Sequence, residues 1–212
     1  MSIRVRWLLC CALSVLLPAC VESEHPLSDP LKSQQDSRLY GVWRKTNEDG
    51  TVEYLPVGRE VSEPLDPGRS EPEPGVMRYW SVKQSTKSHV VENPTSAQFT
   101  CTKIGEQDFA SWVSPPNPST HKSRTYFLLK YRIDDNELAV WLQDPEATAR
   151  AIEAGKLKGV VKRKKAPGAS DAGSIEELRM TDSTEALVRF LGAGGAADCF
   201  PDGNKSIYSR VR

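Results

Sequence analysis

"TYFLLKYRIDDNELAVWLQ", residues 125–143, decides the fold class. Phe127, Leu129, Tyr131 and Ile133 fall on alternate positions. Leu138, Val140 and Leu142 alternate back after Asp135-Asn136. A period of two with a turn-forming pair in the middle is a β-hairpin with one buried face. The pattern repeats upstream. "LYGVWRK" and "TVEYLPV" flank the turn "TNEDG", and "VMRYWSVKQ", "AQFTCTKI" and "DFASWV" follow as further short strands. "SIYSRVR" ends the chain as a last strand. Many short antiparallel strands in series predict a mainly β (α+β) chain, folded as an antiparallel barrel or strongly curved sheet.

Two or three short helices are expected late. In "DPEATARAIEAG", Asp144 is placed as N-cap, Pro145 at the first helical position and Gly155 as the stop. Ser174 with Glu177, before "IEELRM", and Asp182 with Glu185, before "ALVRFL", have capping-box spacing. Between them "GVVKRKK" reads as a strand. The run "KLKGVVKRKK", 156–165, puts six cations in ten residues, a pattern of solvated edge strands whose lysines block aggregation. Residues 58–75, with four prolines and five acids, read as a mobile surface loop, and "SPPNPSTHKS" as another loop.

The N-terminus carries an address. Arg4 and Arg6 precede Trp7–Leu17, an apolar run of about 11 residues, inside the roughly 7–15 of a signal h-region and short of the roughly 20 that cross a bilayer. Leu17-Pro18-Ala19-Cys20 follows. This resembles the lipobox of bacterial lipoproteins, in which the cysteine sulfur receives a diacylglycerol and becomes residue one of the mature chain. The resemblance implies a signal peptide over 1–19, an acylated Cys20 with a polar tether over 20–38, and one globular β-rich domain over 39–212. It also implies attachment to the bacterial cell envelope through lipid. Val21 in place of an aspartate after the cysteine favours the outer membrane, facing the periplasm.

Charge is balanced, 28 cations against 28 acids, and turns slightly acidic once the leader's two arginines leave, so no nucleic-acid partner is expected. Of five cysteines, Cys10 and Cys11 leave with the leader and Cys20 takes lipid. The remaining pair, Cys101 and Cys199, reads as a disulfide in an oxidising compartment, closing roughly 98 residues and contributing about 4–5 kcal/mol; the rival reading is two separate buried thiols.

Gly41-Val42-Trp43 opens the first strand of the domain. A G-x-W there resembles the first-strand signature of lipocalins. The resemblance implies that Trp43 closes one barrel end under an arginine of the last strand, Arg210 or Arg212, with Gly41 at the close approach. The placement of Cys101 and Cys199 resembles that of a common lipocalin disulfide.

No catalytic constellation is visible. "GAGGAA", 192–197, follows a helical pattern rather than a strand, so it is a helix stop and not a dinucleotide loop. His25, His89 and His121 have no orienting acid nearby and no metal-ligand spacing. No cofactor or enzyme activity is expected. The bulky alternating residues of 127–142 are large enough to fill a small barrel, which favours an interaction or structural module docking an envelope partner. The alternative is a lipocalin-like binder of a small apolar ligand.

Overall fold

A computed structural model of the chain describes residues 21–66, 68–88, 90–92, 94–114, 124–164 and 173–212. After a two-residue strand β1 (Glu22–Ser23) the chain runs through seven longer strands: β2 (Gly41–Thr46), β3 (Thr51–Arg59), β4 (Val76–Ser85), β5 (Thr95–Ile104), β6 (Gln107–Ser114), β7 (Thr125–Asp134) and β8 (Glu137–Leu142). Each of β2 to β7 pairs antiparallel with the next. There follow α1 (Pro145–Glu153), β9 (Gly159–Lys164), β10 (Ser174–Met180), α2 (Thr184–Phe190), α3 (Ala196–Cys199) and the last strand β11 (Lys205–Arg210). β11 inserts antiparallel between β8 and β2 and closes an eight-stranded barrel. Closure removes the exposed edges that an open sheet of this length would carry.

Alternation along each strand sorts side chains into two cores. Inside the barrel, Trp43, Val57, Met77, Phe99, Tyr131 and Leu138 pack together. The hairpin of 125–143 obeys its period, with Leu129, Tyr131, Leu138 and Val140 on the inner face. Leu128 points the other way and is still only 2 % exposed. It belongs to a second core, outside the barrel, built from the outer faces of β6–β8 and a layer of late elements: Phe109, Leu128 and Trp141 against Leu178, Met180, Leu187, Leu191 and Phe200. This layer explains why "FLL" is continuously apolar: both faces of β7 are buried.

α1 is capped as expected, with Asp144 accepting from the Ala147 N–H at 2.7 Å and Pro145 at its start. α2 begins one residue later than its sequence pattern suggests. Ser183 is its cap, while Asp182 accepts from the Lys158 N–H at 2.6 Å. α2 and α3 run together through a π-turn that breaks at Gly194, φ +104°.

Four sequence expectations are corrected. Ser174–Met180 is a strand, not a capped helix; β10 pairs antiparallel with β9, burying Leu178 and Met180 on one face. The capping-box spacing is a weak local preference that the ladder overrides. Second, residues 21–38 are not a tether. Val21 and Leu27 are buried in the outer core, Glu22–Ser23 pair parallel with Arg179–Met180, and the Leu27 N–H donates to Ser111 Oγ at 2.9 Å. Third, no Cys101–Cys199 disulfide is formed. Both are free and buried, Cys101 in the inner core and Cys199 in the outer one, on opposite sides of the barrel wall. Fourth, the described part of 58–75 is a loop pinned by two buried carboxylates, Glu60 and Glu73. Glu60 accepts from the N–H groups of Val61, Ser62 and Glu63 and from Arg78 and Gln98. Glu73 accepts from the N–H groups of Leu65 and Asp66.

Candidate functional site

The barrel has one closed end and one open end. At the closed end Trp43 is fully buried and its Nε1–H donates to the Leu39 carbonyl at 2.8 Å. The guanidinium of Arg210 lies over the indole, 4.2 Å from the ring centroid. The same group donates to the carbonyls of Tyr40 at 2.6 Å and Arg38 at 2.5 Å. It therefore both stacks and ties the entering chain to the last strand. Gly41 has φ +126°, and a Cβ there would sit 3.1 Å from Arg210 Nη1. Arg212 is exposed and beyond the last strand. Beneath this plug, Arg38 bridges Asp36 at 2.7 Å and Asp108 at 2.8 Å, and Tyr131 donates to Asp36 at 2.9 Å. Burial raises the Asp36 carboxyl, but the hydrogen bonds from Arg38 and Tyr131 outweigh it and hold the group below its ordinary range.

Toward the other end the side chains do not meet. A cavity of about 350 Å³ remains in the lumen. Its walls are Leu55, Tyr79, Phe99, Trp112, Leu129 and Val140, and its floor includes Tyr131 and Leu138. Bulky side chains fill the closed half but only line the rest, where neighbouring rings pack against one another. Tyr79 and Trp112 meet at 5.2 Å in a T-shaped pair, and Trp112 meets Phe127 at 5.7 Å. The volume falls within the range of small-ligand sites, roughly 300–1,000 Å³.

The cavity holds a carboxylate. Glu53 accepts from Ser81 Oγ at 2.7 Å and from the Tyr208 hydroxyl at 3.2 Å. Burial first, and then the negative charge of Glu53, push the phenols of Tyr79 and Tyr208 above their ordinary value. Lys45, its neighbour across β2, donates instead to Ser206 Oγ at 2.9 Å and lies over the Tyr208 ring. Lys83, its neighbour across β4, is exposed, as is Glu92.

Other residues singled out from sequence fall elsewhere. Cys20 and the lipobox, His89 and His121 lie outside the described residues; His25 is exposed. Burial pushes the Cys101 thiol up to about 11 and raises Cys199 as well, so neither is a reactive thiolate. Residues 159–164 of the cationic run form an edge strand, β9. Lys162 pairs with Glu177, and Arg163 pairs with Glu146 at 3.0 Å and Glu153 at 3.1 Å. Among the described residues no His, Cys, Asp and Glu cluster is arranged to hold a metal ion. Glu53, Tyr79, Ser81 and Tyr208 escaped the sequence reading, although their signal was present: Glu53-x-Leu55-x-Val57 puts an acid in register with the apolar face of its strand. Comparison with known proteins gives no match: no family model, no curated protein and no solved structure is detectably similar to the chain.

Proposed function

We propose that this protein is a lipid-anchored barrel of the bacterial envelope that carries a small, largely apolar ligand in its lumen. The observation that carries the reading is the cavity of about 350 Å³ between Leu55, Tyr79, Trp112, Leu129 and Val140. Apolar walls with a few convergent polar groups are the general form of a small-molecule site. The Gly41, Trp43 and Arg210 plug supports the same reading, since it closes one end of the barrel and leaves the lumen reachable from the other. The lipocalin resemblance of Gly41-Val42-Trp43 agrees with it. The anchor rests on Leu17-Pro18-Ala19-Cys20 and places the ligand site at a membrane surface, in our reading the outer membrane on its periplasmic side.

The test is fluorescence of N-phenylnaphthylamine, a neutral apolar dye, titrated into the purified full chain. Saturable enhancement is expected. Val140→Trp fills the lumen and is expected to weaken binding at least tenfold while the far-UV circular dichroism stays unchanged. Equal binding by a folded Val140→Trp variant removes the lumen as the site. Cys20→Ala is expected to bind the dye normally and to leave the membrane fraction of cells; retention there removes the anchor.

A further inference from the structure

Glu53 is a half-buried carboxylate in an apolar cavity, held by two neutral hydroxyls and, among the described residues, by no ion pair. Two lysines flank it across the sheet, Lys45 on β2 and Lys83 on β4. Neither forms an ion pair with it among the described residues: the ammonium of Lys45 goes to Ser206, and Lys83 is exposed at the rim. A carboxylate withdrawn from water is costly without a cationic partner, and each oxygen retains acceptor capacity after one hydroxyl bond. The same cavity is lined by Tyr79, Trp112 and Phe99, whose π-systems attract cations and repel anions. We propose that the ligand carries a cationic amine or quaternary ammonium head seated at Glu53, with its apolar body against Tyr79, Phe99 and Trp112. This deepens the reading of the lumen as a binding site and rests on it. The field of the site agrees. Burial raises the phenols of Tyr79 and Tyr208, and the Glu53 charge beside them raises them further. Ser81 and Tyr208 then act as positioning residues that hold the carboxylate toward the cavity.

The test uses three probes with one apolar body: phenylbutylamine, phenylbutanol and phenylbutyrate, each displacing N-phenylnaphthylamine from the full chain at neutral pH. The amine is expected to displace the dye about tenfold better than the alcohol, with the carboxylate weakest. Glu53→Gln is expected to bring the amine down to the alcohol, each probe being read against that variant's own dye affinity. Tyr208→Phe, which keeps the charge and removes one positioning hydroxyl, is expected to shrink the amine preference without abolishing it. Equal binding of amine and alcohol in the wild-type chain overturns the proposal. So does a preference for phenylbutyrate, which would give the head to Lys45 and Lys83. In both cases apolar binding survives. Failure of the dye and all three probes to bind overturns the lumen reading itself. Should Glu53→Gln not fold, the ranking in the wild-type chain decides.

Discussion

Trp43, Arg210 and Gly41 show how a single contact closes a barrel. The indole is buried on all sides, and the guanidinium over it also satisfies two carbonyls of the incoming chain. Trp43→Ala is expected to cost about 3–5 kcal/mol, as large truncations in a packed core do. Arg210→Ala is expected to cost about 2 kcal/mol, the sum of the stacking and the lost charge-assisted bonds. Because the two side chains touch, their effects should not add: urea melts of the single and double mutants should give a coupling of about 1 kcal/mol. Arg212→Ala, outside the contact, should leave the midpoint unchanged. Additive effects at Trp43 and Arg210 would mean that the stack contributes nothing. Trp43 and Gly41 were legible in sequence, because a G-x-W opening the first strand is a local mark; the arginine was narrowed only to Arg210 or Arg212, and the fold selects Arg210. Glu53 was not singled out, because an acid within an alternating strand looks the same whether the face is solvated or lines a cavity; only barrel closure decides.

At the level of elements, the loop between β3 and β4 was misread for a physical reason. Proline, glycine and acids make a segment that does not form regular structure, and composition says no more than that. It does not tell whether the acids face water or backbone. Glu60 is 2 % exposed and accepts from three consecutive backbone N–H groups, with Arg78 and Gln98 on its other oxygen. Burial alone would raise this carboxyl. The bonds from Ser62, Arg78 and Glu63 overcome burial and depress it to about 2 from an ordinary 4.5. A depressed carboxyl stabilises the fold above its unfolded value and loses that contribution as pH falls through the folded one. The full contribution is about 3 kcal/mol, of which about 2 kcal/mol is gone by about pH 3. Glu60→Gln should therefore lie well below the wild type in urea midpoint at about pH 6, and the gap should narrow as the pH is lowered to about 3. A gap that stays constant with pH would mean that Glu60 is not ionised in the fold. The same logic explains β10. Ser174 and Glu177 have the spacing of a cap, but Leu178 and Met180 alternate toward the outer core, and burial there outweighs a cap worth about 1 kcal/mol.

At the scale of the whole molecule, the chain builds one barrel and then covers part of its outside. The covering layer joins the two ends of the sequence: Val21 and Leu27 pack with Leu178, Met180, Leu187 and Phe200 over Phe109 and Leu128. Sequence reading found the barrel because its contacts are mostly between successive strands, and missed the layer because its contacts join residues far apart in sequence, such as Leu27 with Ser111 and Phe109 with Phe200. The consequence concerns the anchor. Val21 is 5 % exposed, so the lipid proposed on Cys20 would sit next to a residue already packed in the outer core. Leu27, 2 % exposed, has its N–H bonded to Ser111 on the barrel wall. Leu27→Ala should then cost about 2–5 kcal/mol, read as a lowered urea midpoint with an unchanged slope. Deleting residues 21–27 should cost more, because it uncovers Phe109 and Leu128 and takes the first partner from β10 and the edge partner from β7. A segment that served only as a tether would give the opposite result: neither change would move the midpoint. If Leu27→Ala and the deletion both leave it in place, the outer core does not include residues 21–27, and the segment is the tether that its composition suggested.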